Sequence, residues 1–451
     1  MASHLATLVI GFATSIVISH VGVEELGRWR FAQAIVTYLM VGTDAGLTML
    51  AVREVARRPA DVDHYAGPVL FVRFSLALVA MAASVLIINP GSGSVAGWFY
   101  LAMIFTIVPA ALSLTHVVQG LEKLRTYALV RFVSGALAGF AGLLAFLMTH
   151  SLVTLIIPVI VVGLAVDLGL VMYLRATAAL RFHFGTPSVW LGLVVPAFPF
   201  LVAAISIQLI SNADAVIIGT SLGEAELGLY AAAYVLAGQL LFLSGPISLV
   251  VYPRLSALHE EGAGFQRAIR DLSSALGLFV LPASVGAALV APSLIAAIYG
   301  HDYQRSIPLL TILMGMPLVG FYNVAMSQAL NAARRPGTVA RVAAGAAAGS
   351  VALNLALVPT LGLTGAAMAA VATEVLTAAA YTWAIHPLAG FGPIRAYFAT
   401  LDAVVVMAVV LIVLPDLPLP LAVLIGCTAY AVVVFLRRPA SLTIVGRMMG
   451  R

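Results

Sequence analysis

Apolar residues in this chain do not alternate with polar ones; they run in nearly unbroken stretches of about twenty, separated by short polar breaks. That length matches a helix crossing a hydrocarbon core, whereas a barrel strand would alternate over roughly ten residues, so the pattern predicts transmembrane helices. Fourteen windows emerge. The first seven are Ala2 to His20, Phe31 to Val52, Ala66 to Ile88, Gly97 to Val118, Tyr127 to Met148, Leu152 to Leu174 and Val189 to Ser211. The second seven are Tyr230 to Tyr252, Leu272 to Ile295, Ile307 to Leu330, Val342 to Val358, Gly365 to Ile385, Tyr397 to Leu414 and Leu419 to Leu436. The first window lacks the basic segment and small-residue cleavage site of a signal peptide, so it reads as a genuine span with its cytoplasmic end cut short.

Composition narrows the class. The chain is 62% hydrophobic and 9% charged, against about 25% charged in ordinary soluble domains. Soluble enzymes, disordered chains and disulfide scaffolds are excluded, and an all-α integral membrane protein remains. The single cysteine, Cys427, has no partner for an internal disulfide. The formal charge of +5 is no sign of a nucleic-acid partner, because the basic residues are distributed by topology. Alternate connections carry Arg53, Arg57 and Arg58; Lys123, Arg125 and Arg131; Arg175 and Arg181; Arg254, Arg267 and Arg270; Arg334, Arg335 and Arg341; Arg395; and the arginines of the tail. The opposite connections carry only Arg28, Arg30 and Arg305, and Arg73 lies within a span. By the positive-inside rule both termini are cytoplasmic and the span count is even.

The chain also repeats itself. Gly22-Val23-Glu24-Glu25-Leu26-Gly27 after the first span matches Gly223-Glu224-Ala225-Glu226-Leu227-Gly228 after the seventh, and the same offset places Arg53 on Arg254. Arg131-x3-Gly135-x3-Gly139 reappears as Arg341-x3-Gly345-x3-Gly349. Spans one to six thus resemble spans seven to twelve in the same orientation. This predicts an N-terminal six-helix lobe over 1–185, a second over 186–390, and two extra helices with a tail over 391–451. Parallel repeats of this kind are a transporter architecture, with the ligand near the bilayer midplane.

Several motifs carry a family resemblance: the Gly22 and Gly223 turns, Asp44-Ala45-Gly46-Leu47 followed by Arg53-Glu54, Asn212-Ala213-Asp214-Ala215 with Gly219, Ile298-Tyr299-Gly300-x-x-Tyr303, and Leu361-Gly362-Leu363-Thr364-Gly365. Together they resemble the polysaccharide (O-antigen-like) flippase branch of the multidrug/oligosaccharidyl-lipid/polysaccharide (MOP) flippase superfamily. The resemblance implies a MATE-like bundle that flips a polyprenyl-pyrophosphate-linked oligosaccharide from the cytoplasmic to the outer leaflet by alternating access. It also implies a bacterial plasma (inner) membrane location, membrane lipids as surroundings, and polysaccharide polymerase and glycosyltransferases as partners. Peptidoglycan-precursor flippases carry arginines in the first helix; this one offers Ser15, Ser19 and His20, which disfavours that cargo.

Ionisable residues inside spans are expensive and mark function by default. Arg73 is the first choice for contact with an anionic head group, the alternative being that it pairs with Asp44 or snorkels to the surface. Arg53 and Arg254, at the cytoplasmic mouth, either recruit the head group or only satisfy the positive-inside rule. Gln208, Asn212 and Asp214 share one sector of the seventh span, either as a cavity wall or as interhelical glue. Tyr322, Asn323, Gln328 and Asn354 either bind sugar hydroxyls or pack helices. Glu374 has no partner identifiable from sequence, Asp167 is a further intramembrane acid, and Asp402 braces the C-terminal pair. Asp214 is the candidate for coupling to H+ or Na+; no cofactor and no metal site are expected.

No Walker loop, Cys/His metal spacing or nucleophile elbow is present, so no catalytic residue is assigned and the chain is not read as an enzyme. The rival readings are a cation-coupled multidrug exporter of the same superfamily and a membrane glycosyltransferase or ligase, the latter opposed by the short outer loops.

Overall fold

The computed structural model describes residues 2–88, 95–178, 183–244, 252, 255–258, 262–415 and 417–437. All regular structure among them is helical. The molecule divides into two compact units, Met1–Val216 and Ile217–Arg451. The seventh span, which the repeat gives to the second half, lies largely in the first unit.

The first unit runs α1 (Ala2–Ser19), α2 (Val23–Asp44), α3 (Leu47–Arg57), α4 (Val62–Ile88), α5 (Val95–Phe105), α6 (Ile107–Leu112), α7 (Thr115–Gly120), α8 (Leu124–Thr149), α9 (Leu152–Ala178) and α10 (Pro187–Ser221). Two of its spans are broken. α2 and α3 meet at 44°, where Ala45 and Gly46 take left-handed angles (φ 50 and 77). Gly46 is required there twice over: its φ is positive, and a Cβ would stand 2.5 Å from the Ala197 carbonyl oxygen of α10. The fourth window is likewise divided into α5, α6 and α7, with α6 ended by the extended Ser113 (ψ 129).

The second unit opens with α11 (Glu224–Phe242) and continues through Ala263–Leu289, Ala291–Ile298, Ile307–Leu313, Gly315–Ala332, Pro336–Ala389, Gly392–Tyr397, Leu401–Val413 and Leu419–Arg437. Its core joins Phe265, Leu272, Leu276, Phe321, Met326, Tyr381 and Tyr397, and takes in Met407, Leu411 and Ala422 of the last two helices. Asp402 pairs with Arg437 across those two helices, the bracing expected of it.

Eleven helices among the described residues are long and apolar enough to span a membrane, or twelve if the bent α2–α3 pair is one span. The difference from fourteen has two sources. Of α1, whose side chains are described only from Val9, the apolar stretch Val9–Ser19 falls short of that length. Windows eleven and twelve run together as Pro336–Ala389, 54 residues long, which as one rod would measure about 80 Å against a hydrocarbon core of about 30 Å. Gly362 breaks that helix (φ 60, ψ −138), and residues of both halves line one groove, so the halves lie side by side.

Both copies of the repeated glycine turn start a helix with acidic residues in its first turn: Gly22 precedes α2 with Glu24 and Glu25, Gly223 precedes α11 with Glu224 and Glu226. These carboxylates complement the positive helix end. The Val118–Leu124 and Leu330–Pro336 turns share their geometry: Glu122 and Arg334 both sit at φ 57, with Lys123 N–H on the Val118 carbonyl and Arg335 N–H on that of Leu330. These turns stand 212 residues apart, against 210 for the Arg131/Arg341 match. Arg131, Gly135 and Gly139 line one cavity, and Arg341, Gly345 and Gly349 line a groove of the second unit.

Candidate functional site: a polar cavity in the first unit

Arg73 lies on α4, 8% exposed, in a helix otherwise composed almost wholly of apolar residues beyond its first turn. The breaks in its neighbours explain its place. A helix end leaves backbone carbonyls without partners, and in an apolar medium each must be satisfied. Arg73 serves the end of α6, its Nη1 donating to the Ser113 carbonyl at 3.1 Å and its Nη2 to the Ala110 carbonyl at 2.5 Å, which also accepts the Ser113 N–H at 3.4 Å. Its Nε lies 3.2 Å from Asp44 Oδ1, out of line for a hydrogen bond. Asp44 ends α2 at the bend, and its Oδ1 accepts the Thr48 hydroxyl at 2.5 Å. The two breaks and the ion pair are one arrangement.

This pair faces a cavity of about 760 Å³ lined by residues of α1 to α4 and α6 to α9. Trp29, Gln33, Gln119 and Tyr127 line it, with Arg131 on α8 and Asp167 on α9. Gly135, Ala138, Gly139 and Gly142 of α8 border it, and Gly139 and Gly142 let α1 and α9 come close, since a Cβ at Gly139 would run into the Ile10 side chain and one at Gly142 would stand 3.0 Å from the Leu155 carbonyl oxygen. Deep in the site two carboxylates, Asp44 and Asp167, face one guanidinium, while Arg131 is exposed. A cation or a proton therefore finds an acidic environment, and an anion reaches Arg73 only in competition with Asp44. His116 of α7, beside this site in sequence, is 1% exposed with neither ring nitrogen hydrogen-bonded. Sequence reading passed over it because it stands in an apolar run.

A second polar cluster joins α2 to α10. Gln208 and Asn212 share a sector as expected, the Asn212 amide donating to Gln208 Oε1 at 2.8 Å. Arg30 donates to Asn212 Oδ1 at 3.0 Å and to the Ser211 carbonyl at 3.2 Å, and the Tyr38 hydroxyl donates to the Gln208 carbonyl at 3.1 Å. Asp214 is buried. Arg30 corrects the sequence reading, which placed it in an outer connection. The segment from Val23 is helical because Glu24 and Glu25 sit in its first turn and pair with Arg28 at 2.9 and 2.8 Å, which carries Arg30 two turns into α2.

The other residues singled out are dispersed. Arg53 pairs with Glu54 at 2.7 Å and lies over the Phe200 ring at 5.3 Å. Arg254 lies outside the described residues. In the second unit the Asn323 amide donates to Glu374 Oε2 at 2.6 Å and to its carbonyl at 3.0 Å, giving Glu374 the partner that sequence left unidentified. Tyr322 exchanges a hydrogen bond with Thr382 at 2.9 Å. Asn354 donates to the Ser350 carbonyl of its own helix at 2.9 Å, and Gln328 is half-buried. Tyr322 and Asn323 thus join helices.

The family model described as polysaccharide biosynthesis protein matches residues 21–308. Two curated relatives come from Haloferax volcanii. The probable flippase AglR is 27% identical over 236 residues, 49% of each chain, so this chain spans about half the length of that relative. The probable low-salt glycan biosynthesis flippase Agl15 is 21% identical over 360 residues, 77% of this chain and 74% of its own. Among solved structures, the lipid II flippase MurJ in an inward closed conformation superposes with a TM-score of 0.77 at 14% identity, over 97% of this chain and 98% of that one. An inward-facing multidrug resistance MATE family transporter of the MOP superfamily gives 0.65 at 13% identity, over 87% and 94%. These identities speak for the fold alone, and all four proteins are flippases or transporters by name. With the family match covering well over half of its length, the chain belongs to the polysaccharide biosynthesis protein family and is built on the fold of MOP-superfamily transporters.

Proposed function

We propose that this protein flips a polyprenyl-pyrophosphate-linked oligosaccharide from the cytoplasmic to the outer leaflet of a bacterial plasma membrane, by alternating access, for cell-surface polysaccharide biosynthesis. The observation that carries this reading is a polar, charge-bearing cavity inside a bundle of apolar spans in a chain of this family. In this reading the chain has fourteen spans: α1, the α2–α3 pair and the two halves of Pro336–Ala389 each count once, in two six-helix lobes plus a C-terminal pair, with both termini cytoplasmic. α1 adds no cation to the site. Its Ser19 hydroxyl donates to the Ile16 carbonyl and His20 Nδ1 contacts the same oxygen, which keeps peptidoglycan precursor the less favoured cargo.

The geometry changes the part assigned to Arg73. Its guanidinium is engaged by Asp44 and two carbonyls, so contact with a pyrophosphate requires Asp44 to be neutralised first. Asp44 and Asp167 are accordingly the groups where H+ or Na+ would couple, with Glu374 as the second-unit counterpart. The acidic depth of the cavity, beside Trp29 and Tyr127, favours a second reading, an organic-cation exporter of the same superfamily. Mass spectrometry of lipid extracts separates the two. A strain lacking the gene should accumulate a polyprenyl-pyrophosphate oligosaccharide that the intact gene clears; unchanged lipids with raised drug susceptibility would support the exporter.

A further inference from the structure

A groove of about 330 Å³ opens on the second unit between the two halves of Pro336–Ala389. Gly345 and Gly349 form one wall, Leu376 and Trp383 the other. A Cβ on either glycine would meet nothing within 4 Å, and Leu376 and Trp383 are 58% and 83% exposed. Thr373 and Thr377 turn their hydroxyls back to the carbonyls of Ala369 and Thr373, at 2.8 and 2.7 Å, so their polar atoms are satisfied within the helix. The walls are hydrocarbon.

The mouth is cationic. Arg341 contacts only the Gly337 carbonyl and the Thr338 hydroxyl, at 3.4 and 3.2 Å, with no acidic partner among the described residues. The helix starts five residues earlier, at Pro336, so its positive end opens beside the same mouth, next to Arg334 and Arg335 in sequence. Trp383 stands opposite, where indole rings mark head-group level. From Arg341 to Gly349 is about 12 Å along the helix axis, under half of the hydrocarbon core and within one leaflet.

We propose that this groove binds one anionic phospholipid, its phosphate on Arg341 and Thr338 and one acyl chain along Gly345 and Gly349. Charge complementarity selects an anionic head over a zwitterionic one, and the one-leaflet depth suits an acyl chain better than a longer isoprenoid. The site is independent of the transported cargo.

Replacing Trp29, Trp98 and Trp190 with Phe leaves Trp383 as the sole indole of the four in the chain. That full-length protein, in phosphatidylcholine vesicles, is titrated with brominated phosphatidylglycerol or brominated phosphatidylcholine, and Trp383 quenching is read. Brominated phosphatidylglycerol should quench at about fivefold lower mole fraction, the effect of one arginine at an anionic head group. Arg341→Gln should abolish that preference, Arg341→Lys should keep it, and Gly345→Leu should weaken quenching by both lipids. Equal quenching by both lipids, unmoved by Arg341→Gln, would mean ordinary boundary lipid and would overturn the proposal. Displacement of the brominated lipid by polyprenyl phosphate more readily than by unlabelled phosphatidylglycerol would overturn the choice of occupant.

Discussion

Arg73 shows how one side chain in a membrane protein serves two demands. It donates to the Ala110 and Ser113 carbonyls at the end of the broken α6 and holds its counter-charge at the bend after Asp44. Removing one member of such a pair strands the other, at a cost of about 3–5 kcal/mol. Arg73→Gln should therefore lower the melting temperature sharply, and Asp44→Asn in the same chain should restore part of the loss, the two changes being far from additive; additive losses would contradict the coupling. Glycines provide a second contrast at this scale. Gly46→Ala forces a Cβ onto the α10 backbone at a positive φ and should cost at least about 2 kcal/mol. Gly345→Ala adds its Cβ in open space within a helix and should be neutral or stabilising by up to about 1 kcal/mol. Thermal unfolding in detergent reads these variants, with Asp44→Asn alone completing the cycle.

At the scale of elements, the breaks in helices organise the site more than the helices do. Hydropathy windows found most apolar spans, because a run of twenty apolar residues has few other uses. They missed the interruptions at Gly46 and Ser113, since a turn in left-handed or extended backbone changes hydropathy by almost nothing, whereas the break at Gly362 falls in the gap between the eleventh and twelfth windows. They also cut α2 at Phe31, and so put Arg30 outside the span although Glu24, Glu25 and Arg28 continue the helix. The proximity of Asp44 to Arg73 was legible as an alternative; the carbonyls that fix the guanidinium were not, because the backbone break of α6 carries no residue signature. His116 was invisible for a similar reason, since burial without a partner is a property of packing. The break at Gly362 has its own consequence. No atom crowds it, but its φ/ψ region is essentially open to glycine alone, so Gly362→Ala should destabilise by about 1–3 kcal/mol through the backbone. Wild-type stability in that variant would mean that the two halves turn elsewhere.

For the whole molecule, orientation and cargo direction are linked through the arginine asymmetry. With Cys427 replaced by Ala, a cysteine at Glu122 should react with a membrane-impermeant maleimide only after permeabilisation of cells, and one at His301 without it. The reverse pattern would invert the topology and with it the proposed direction of transport. Movement of a lipid-linked saccharide across the bilayer can be followed in a reconstituted system. Proteoliposomes carrying a fluorescent polyprenyl-pyrophosphate oligosaccharide are exposed to an impermeant quencher, and the protected fraction is followed over time. The intact protein should exchange the protected pool, and Asp44→Asn with Arg73→Gln should not. No exchange beyond protein-free vesicles, together with uptake of an organic cation by the same proteoliposomes, would contradict the proposed transport.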